Sequence, residues 1–500
     1  MALRHLIRRF PGESSLAVGP RPYVNHSVEM KRPSTPGERA RMLESVGLNV
    51  FSFPSEMVTG CDLLSDSGTT TMTNEQWASL HLGDEAYGSN RGYFLLMEQI
   101  GRVFGEEFAA SGADRRQNAF LFHQGRPSED ALFTQLGRLG SGLVIPSNGH
   151  FDTTRANIET NRIQALDLFS PSLRDVSSRD CFKGDMDVVR LRQLLGKSAD
   201  KVPLAYLTVT NNTGGGQPVS MGNIREVSGI AHSHGIPLFL DACRFAENAW
   251  FIKQHERGYR RKSVTDIVRE MFTYVDGFTI SFKKDGLANM GGGLFLRRGG
   301  LFVKKYPGLQ DALTDHQITR EGHPTYGGLS GRDIMAISVG LRTVTREDYL
   351  SYRIRQVQEF GEAMLRHGLP VLTPFGGHAV YLDMTRFFSG TALKPADYGG
   401  ISFTALLLAA YGHRACELGN FAFGSTDRAT GRERLPEVNF VRFAVPRLRY
   451  EEQDLSSVAE AAHALYEKRR SIPPVEVTYG RELSLRHFKA HFRFRPLRAR

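Results

Sequence analysis

Between residues 118 and 297, short apolar runs alternate with helical patterns, and few architectures accept that alternation. The runs are NAFLF (118–122), GLVIPS (142–147), LAYLTVT (204–210), PLFLD (237–241), GFTISF (277–282) and GGLFLR (292–297). They are apolar throughout rather than at every second position, which predicts strands covered on both faces. Stretches such as SMGNIREVSGIAHSHG lie between them, with Ser220 placed to cap a helix and Gly235 to stop it. Continuous strands joined by helices predict an α/β domain with a mostly parallel sheet. In such sheets ligands collect at the carboxyl ends of the strands.

After about residue 335 the pattern changes. One long helix is expected over RDIMAISVGLRTVTREDYLSYRIRQVQEFGEAMLRHG, then a strand at AVYLDM, a further helix, a strand at VNFVRFAV and a last helix. This reads as a smaller α+β domain. The expected division is an N-terminal segment, 1–60, packing with the small domain, a large domain over 61–330 and a small domain over 331–500. Within the first segment, TPGERARMLESVG is expected to be helical.

Composition narrows the function. Apolar residues make up 41% of 500 residues, enough for a sizeable core and too much for global disorder. A net charge of +10 is modest over that length. No nucleic-acid motif accompanies it, so a solvated basic surface is expected and no nucleic-acid partner. Part of the excess lies in the tail HFRFRPLRAR, which reads as exposed. The four cysteines form no CxxC pair, against a zinc knuckle or a disulfide framework and for a reduced, cytoplasmic compartment. No run approaches the ~18 apolar residues of a membrane span. The start, MALRHLIRRF, is Arg-rich and acid-free until Glu13, which leaves an organellar presequence as the alternative address.

The residues just past the predicted strands share a theme. After NAFLF come Gln124, Gly125 and Arg126, then a helix; a glycine turn at a helix N-terminus offers free N–H groups to a phosphate. After GLVIPS, Phe151 is placed to stack on a planar ring. After LAYLTVT, Asn212 can address a ring oxygen. After PLFL, Asp241 is costly to bury without a cation and suits a protonated pyridine nitrogen. Arg244 can reach a phenolate-type oxygen. After GFTI, Ser281 offers a hydroxyl, and Lys283 and Lys284 stand side by side. A lysine amine forms a Schiff base with an aldehyde, and a like-charged neighbour lowers its pKa. Each signal alone also fits an ordinary turn or ion pair. Together, in this order, they suit pyridoxal 5′-phosphate (PLP).

The blocks SDSGTTTM, GDEAYGS, HQGR, FDTTR, NNTGGGQPVSM, LDACRFAENAWFI, SFKKD, TYGGLSGRD, VRFAVPR and LRHF stand in order along the chain. With them the sequence resembles the PLP-dependent β-eliminating lyases, tryptophanase and tyrosine phenol-lyase. That resemblance implies fold type I, the aspartate-aminotransferase type, with a mostly parallel seven-stranded sheet. It implies a homotetramer built from dimers with shared active sites. It makes Lys284 the cofactor lysine, with Gln124, Gly125, Arg126, Ser281 and Lys283 serving the phosphate. Asn212 and Arg244 would meet the ring oxygen, Asp241 the ring nitrogen, and Phe151 the ring face. Arg442 would clamp the substrate carboxylate, and Ser65 and Asn212 would also face substrate. Tyr87 would act in proton transfer from the partner subunit. A monovalent cation, K⁺ by preference, would bind Glu85 and backbone oxygens of Gly68 and Asn289.

The resemblance is closest to tryptophanase. Asp152 stands where phenol-lyases have Thr, Leu418 where they have Arg, and His487 where they have Phe. L-Tryptophan is therefore the expected substrate; tyrosine, or a cysteine-type substrate, is the alternative. Ser65 replaces a Thr of the family pattern, and the glycine cluster after Met290 is unusual for it.

Overall fold

The computed structural model describes residues 21–25, 27–111, 116–175, 178–426 and 433–497. The Arg-rich start and the last three residues of the basic tail lie outside these.

Seven strands form the main sheet: β1 (Ala119–Phe122), β2 (Val144–Ser147), β3 (Gln164–Asp167), β4 (Ala205–Thr208), β5 (Leu238–Asp241), β6 (Gly277–Ser281) and β7 (Gly292–Leu296). Their order is β1-β7-β6-β5-β4-β2-β3. Only β7 runs against the others. Six of the seven lie where the apolar runs predict them. The seventh, β3, is an edge strand whose first residue, Gln164, is exposed; such a strand needs no continuous apolar run. Pro146 lacks an N–H, and the β2–β4 pairing is confined to Ser147↔Tyr206.

Side chains alternate between two cores. Leu121, Leu207, Leu240 and Ile280 pack on one face. Phe120, Phe122, Tyr206 and Phe239 pack on the other. Both sets are buried, which explains the continuous apolar runs. Ser220 caps the helix Met221–Ser233 by accepting from Asn223 N at 3.0 Å, and Gly235 follows it with φ +66°.

The remainder is built on a three-stranded antiparallel sheet. Phe440–Ala444 is its centre, flanked by Ala379–Asp383 and Cys416–Leu418. The long helix expected near 332–368 is two helices, Gly331–Val344 and Glu347–Arg366. The break has a local cause. Arg346 is extended and pairs with Asp348, while Glu347 and Asp348 place acids in the first turn of the second helix. Leu43, Leu48, Val50 and Phe53 pack against Ile401, Leu408, Phe421 and Phe492. The basic tail is not simply exposed: His491–Phe494 pairs antiparallel with Val475–Tyr479, and Phe492 is buried. No helix among the described residues is long and apolar enough to cross a membrane.

One register places the chemistry. Phe122 and Ser281 both face Gly292, and Asp241 lies opposite Thr208 and Thr279. The strand ends therefore meet along one edge. The glycines after Met290 permit the approach. Gly291 has φ +108° and donates to His123 O at 2.7 Å. A Cβ on Gly292 would lie 2.2 Å from the Gln124 carbonyl carbon. Gly292→Ala should cost about 1–3 kcal/mol through overpacking, read as a lower denaturant midpoint. Gly229→Ala, where a Cβ meets nothing within 4 Å in mid-helix, should leave stability equal or higher. Equal effects of the two would contradict the close approach.

Candidate active site

The turn from β1 into a helix forms as expected. Gln124 is extended and precedes the helix Gly125–Gly137. A Cβ on Gly125 would sit 2.8 Å from Ser281 Cβ, so the helix start abuts the end of β6. Arg126, Lys283 and Lys284 gather there. Lys283 is lowered from the usual lysine range, by burial first, then by Lys284 and Arg126. Helix N–H groups together with three cations make an anion-binding mouth.

Lys284 lies on the turn after β6, where its N–H donates to Ser281 O at 3.3 Å and its carbonyl accepts from Leu287 at 2.9 Å. Asp241 ends β5 and accepts from Cys243 N at 3.2 Å. Sequence reading missed a second acid here. Glu129 is buried on the helix Gly125–Gly137, where it accepts from Thr154 Oγ1 at 2.7 Å. Burial first, then Asp241, pushes it up to about 8. The available signal was its place one turn after Arg126, behind the phosphate turn.

Asn212 and Arg442 come together: Arg442 Nη1 donates to Asn212 Oδ1 at 3.2 Å and Nη2 to Leu64 O at 3.0 Å, next to Ser65. Tyr381 OH also donates to Asn212 Oδ1, at 2.9 Å. Arg442 Nε is buried with no partner among the described residues, and its guanidinium lies 6.0 Å from the centre of the Phe151 ring. An unpartnered guanidinium nitrogen beside an aromatic ring suits a carboxylate ligand. Arg244 has a partner that local sequence does not announce. Both arms of its fork are held by Asp66, at 3.0 and 2.7 Å, because a buried carboxylate requires a cation.

Two of the three residues expected to distinguish leaving groups meet. His487 Nε2 lies 2.9 Å from Asp152 Oδ2, close enough for an ion pair but off the line of a hydrogen bond, and both side chains are buried. Leu418 is buried at the end of the strand Cys416–Leu418. Its neighbour Glu417, which sequence reading missed, accepts from Phe421 N at 3.0 Å and Ala422 N at 2.9 Å, and burial raises it above the ordinary carboxylate range. A cavity of about 780 Å³ opens beside Asp152, with His150, Phe169 and Phe423 in its wall.

The residues expected at a cation have other partners within this chain. Asn289 Nδ2 donates to Gly68 O at 3.1 Å. Glu85 is exposed and lies 2.7 Å from Arg332. Tyr87 is 75% exposed and packs edge-on against His323 and Tyr326.

The Glu129 site yields a pH prediction. Its folded pKa exceeds the ordinary 4.5, so its contribution to stability is present below that value and lost as pH rises through about 8. Cofactor-free Glu129→Gln protein should lose less stability between those limits than the unsubstituted chain. Parallel pH profiles in urea melts would mean that Glu129 is ionised in the folded state.

The donors fit pyridoxal phosphate. A cationic helix terminus suits its phosphate, Asp241 its ring nitrogen, and Lys284 its aldehyde. The family model of the beta-eliminating lyases matches residues 62–461. The chain is 40% identical over 472 residues to a tryptophanase of Salinibacter ruber, covering 94% of this chain and 95% of that protein. It is 36% identical over 474 residues to a tyrosine phenol-lyase of Lacrimispora saccharolytica, covering 95% and 96%. Among solved structures, a serine palmitoyltransferase of Sphingomonas wittichii aligns with a TM-score of 0.53 at 12% identity, over 83% of this chain and 89% of that one. The chain belongs to the beta-eliminating lyase family, on the fold type I framework of pyridoxal-phosphate enzymes.

Proposed function

We propose that the protein is a carbon–carbon lyase that splits L-tryptophan, with water, into indole, pyruvate and ammonium. The observation that carries this reading is the buried His487–Asp152 contact of 2.9 Å, beside the strand that holds apolar Leu418. Indole leaves only after protonation at a ring carbon, and it carries an N–H donor. A carboxylate paired with an imidazole accepts that N–H and relays protons. A phenol oxygen calls for a fixed positive charge, and Leu418 supplies none.

When bound, pyridoxal phosphate supplies an electron sink for the carbanion. Gln124, Gly125, Arg126, Ser281 and Lys283 would hold its phosphate. Phe151 would face the ring, and Asp241 would keep the pyridine nitrogen protonated. Lys284 would hold the aldehyde, and its amine would take the substrate α-proton. Arg442 orients the substrate carboxylate as Lys284 approaches the neighbouring carbon. Glu85 and Tyr87, exposed on this chain, serve the active site of a second copy within a tetramer: Tyr87 in proton transfer and Glu85 in holding K⁺ with Gly68 and Asn289.

The test uses purified protein with PLP and separate amino acids in K⁺ or Na⁺, assayed for indole, phenol and pyruvate. Indole from tryptophan should exceed phenol from tyrosine by at least ~100-fold in kcat/KM, about 3 kcal/mol, and K⁺ should activate far better than Na⁺. His487→Phe should harm tryptophan turnover far more than turnover of S-alkyl cysteines, whose leaving groups need no ring protonation. A preference for tyrosine, or equal losses on both substrate classes, defeats the tryptophan reading. Equal activity in the two salts defeats the cation reading alone. Borohydride should fix the pyridoxyl group on Lys284; a label on Lys283 would move the cofactor site.

A further inference from the structure

Arg447 lies just beyond the strand that carries Arg442 and is completely buried. Its guanidinium meets three carboxylates from three segments. Nη1 donates to Asp66 Oδ2 at 3.0 Å, and Nη2 donates to Glu247 Oε1 and Asp285 Oδ1, each at 2.8 Å. Each acid fixes something in the site. The other oxygen of Asp285 accepts from Ala246 N at 2.8 Å and Glu247 N at 3.2 Å, pinning the turn that holds Lys284 to the helix after Arg244. Asp66 holds the fork of Arg244. Two residues later, Gly68 N donates to Lys283 O at 2.8 Å. Glu247 also accepts from Arg353 Nε at 3.1 Å.

We propose that Arg447 is a positioning residue: through Asp285 and Asp66 it sets where the Lys284 amine and the Arg244 guanidinium stand relative to Arg442. The inference rests on the reading of Lys284 as the cofactor lysine and Arg442 as the carboxylate clamp. The α-proton lies on the carbon next to the carboxylate. The separation of Lys284 from Arg442 therefore decides whether the base reaches it. Arg447 is five residues from the clamp and hydrogen-bonded to the residue after the base, so one rigid group spans both. A lysine at 447 keeps the charge but cannot hold three carboxylates in a fork.

The experiment compares holoenzyme carrying Arg447→Lys or Asp285→Asn with the unsubstituted protein. The readouts are the pH titration of the cofactor's visible band, the cofactor dissociation constant, and kcat against KM for tryptophan. Each variant should shift the midpoint of the titration and lower kcat on the order of 100-fold, as small misplacements of reacting groups do, with KM changed far less. Where the lysine variant does not fold, Asp285→Asn, which keeps the shape of the side chain, carries the same readouts. A folded variant with lower thermal stability but an unmoved titration midpoint and unchanged kcat overturns the proposal. If borohydride leaves no label on Lys284 of the unsubstituted protein, the cofactor reading has failed instead, and the two failures are thereby told apart.

Discussion

Charge taken out of water must find its opposite nearby, and this protein meets that demand six times in one place. Asp66, Glu247 and Asp285 face Arg244, Arg353 and Arg447 in a cluster closed to solvent. Burial alone would raise Asp66, yet Arg244, His378 and Arg447 hold it well below the ordinary carboxylate range. Three guanidinium groups balance three carboxylates, and removing one leaves its partners uncompensated. Charged forks, unlike apolar packing, fix direction as well as proximity. That cluster joins the end of the main sheet to the strand bearing Arg442.

The strand ends were legible because a buried parallel strand writes itself as a continuous apolar run, and β1, β2 and β4 to β7 do so. A few polar residues succeed each run, and the register brings them to one edge. The helix break at Thr345–Arg346 was harder to see, because helical periodicity continues through it. Only the acids Glu347 and Asp348 mark the new start. The tail near 491–494 was misread because alternating Arg and Phe suit a half-exposed strand as well as a solvated end.

The site was less legible than the fold. Lys284 and Asp241 come directly after or at the end of strands, so their placement could be read. The ion pair of Arg244 could not be, since its partner Asp66 lies far away in sequence. Glu129 and Glu417 look like ordinary helix and strand acids, and only packing shows that each is buried beside other charges. Asp152 and His487 are legible through family resemblance alone. Local pattern says nothing of a contact between a helix start in the middle of the chain and a 3₁₀ turn near its end.

That contact has a consequence for how the protein comes into being. His487 is held by Asn49, whose Nδ2 donates to its carbonyl at 3.2 Å, and by the Phe51 ring at 5.7 Å. During synthesis the main sheet, with Lys284, Asp241 and the phosphate turn, can form before the ribosome reaches the last residues. The contact between Asp152 and His487 cannot. It is thus among the last tertiary contacts that a nascent chain can close, long after the strand ends of the main sheet have met.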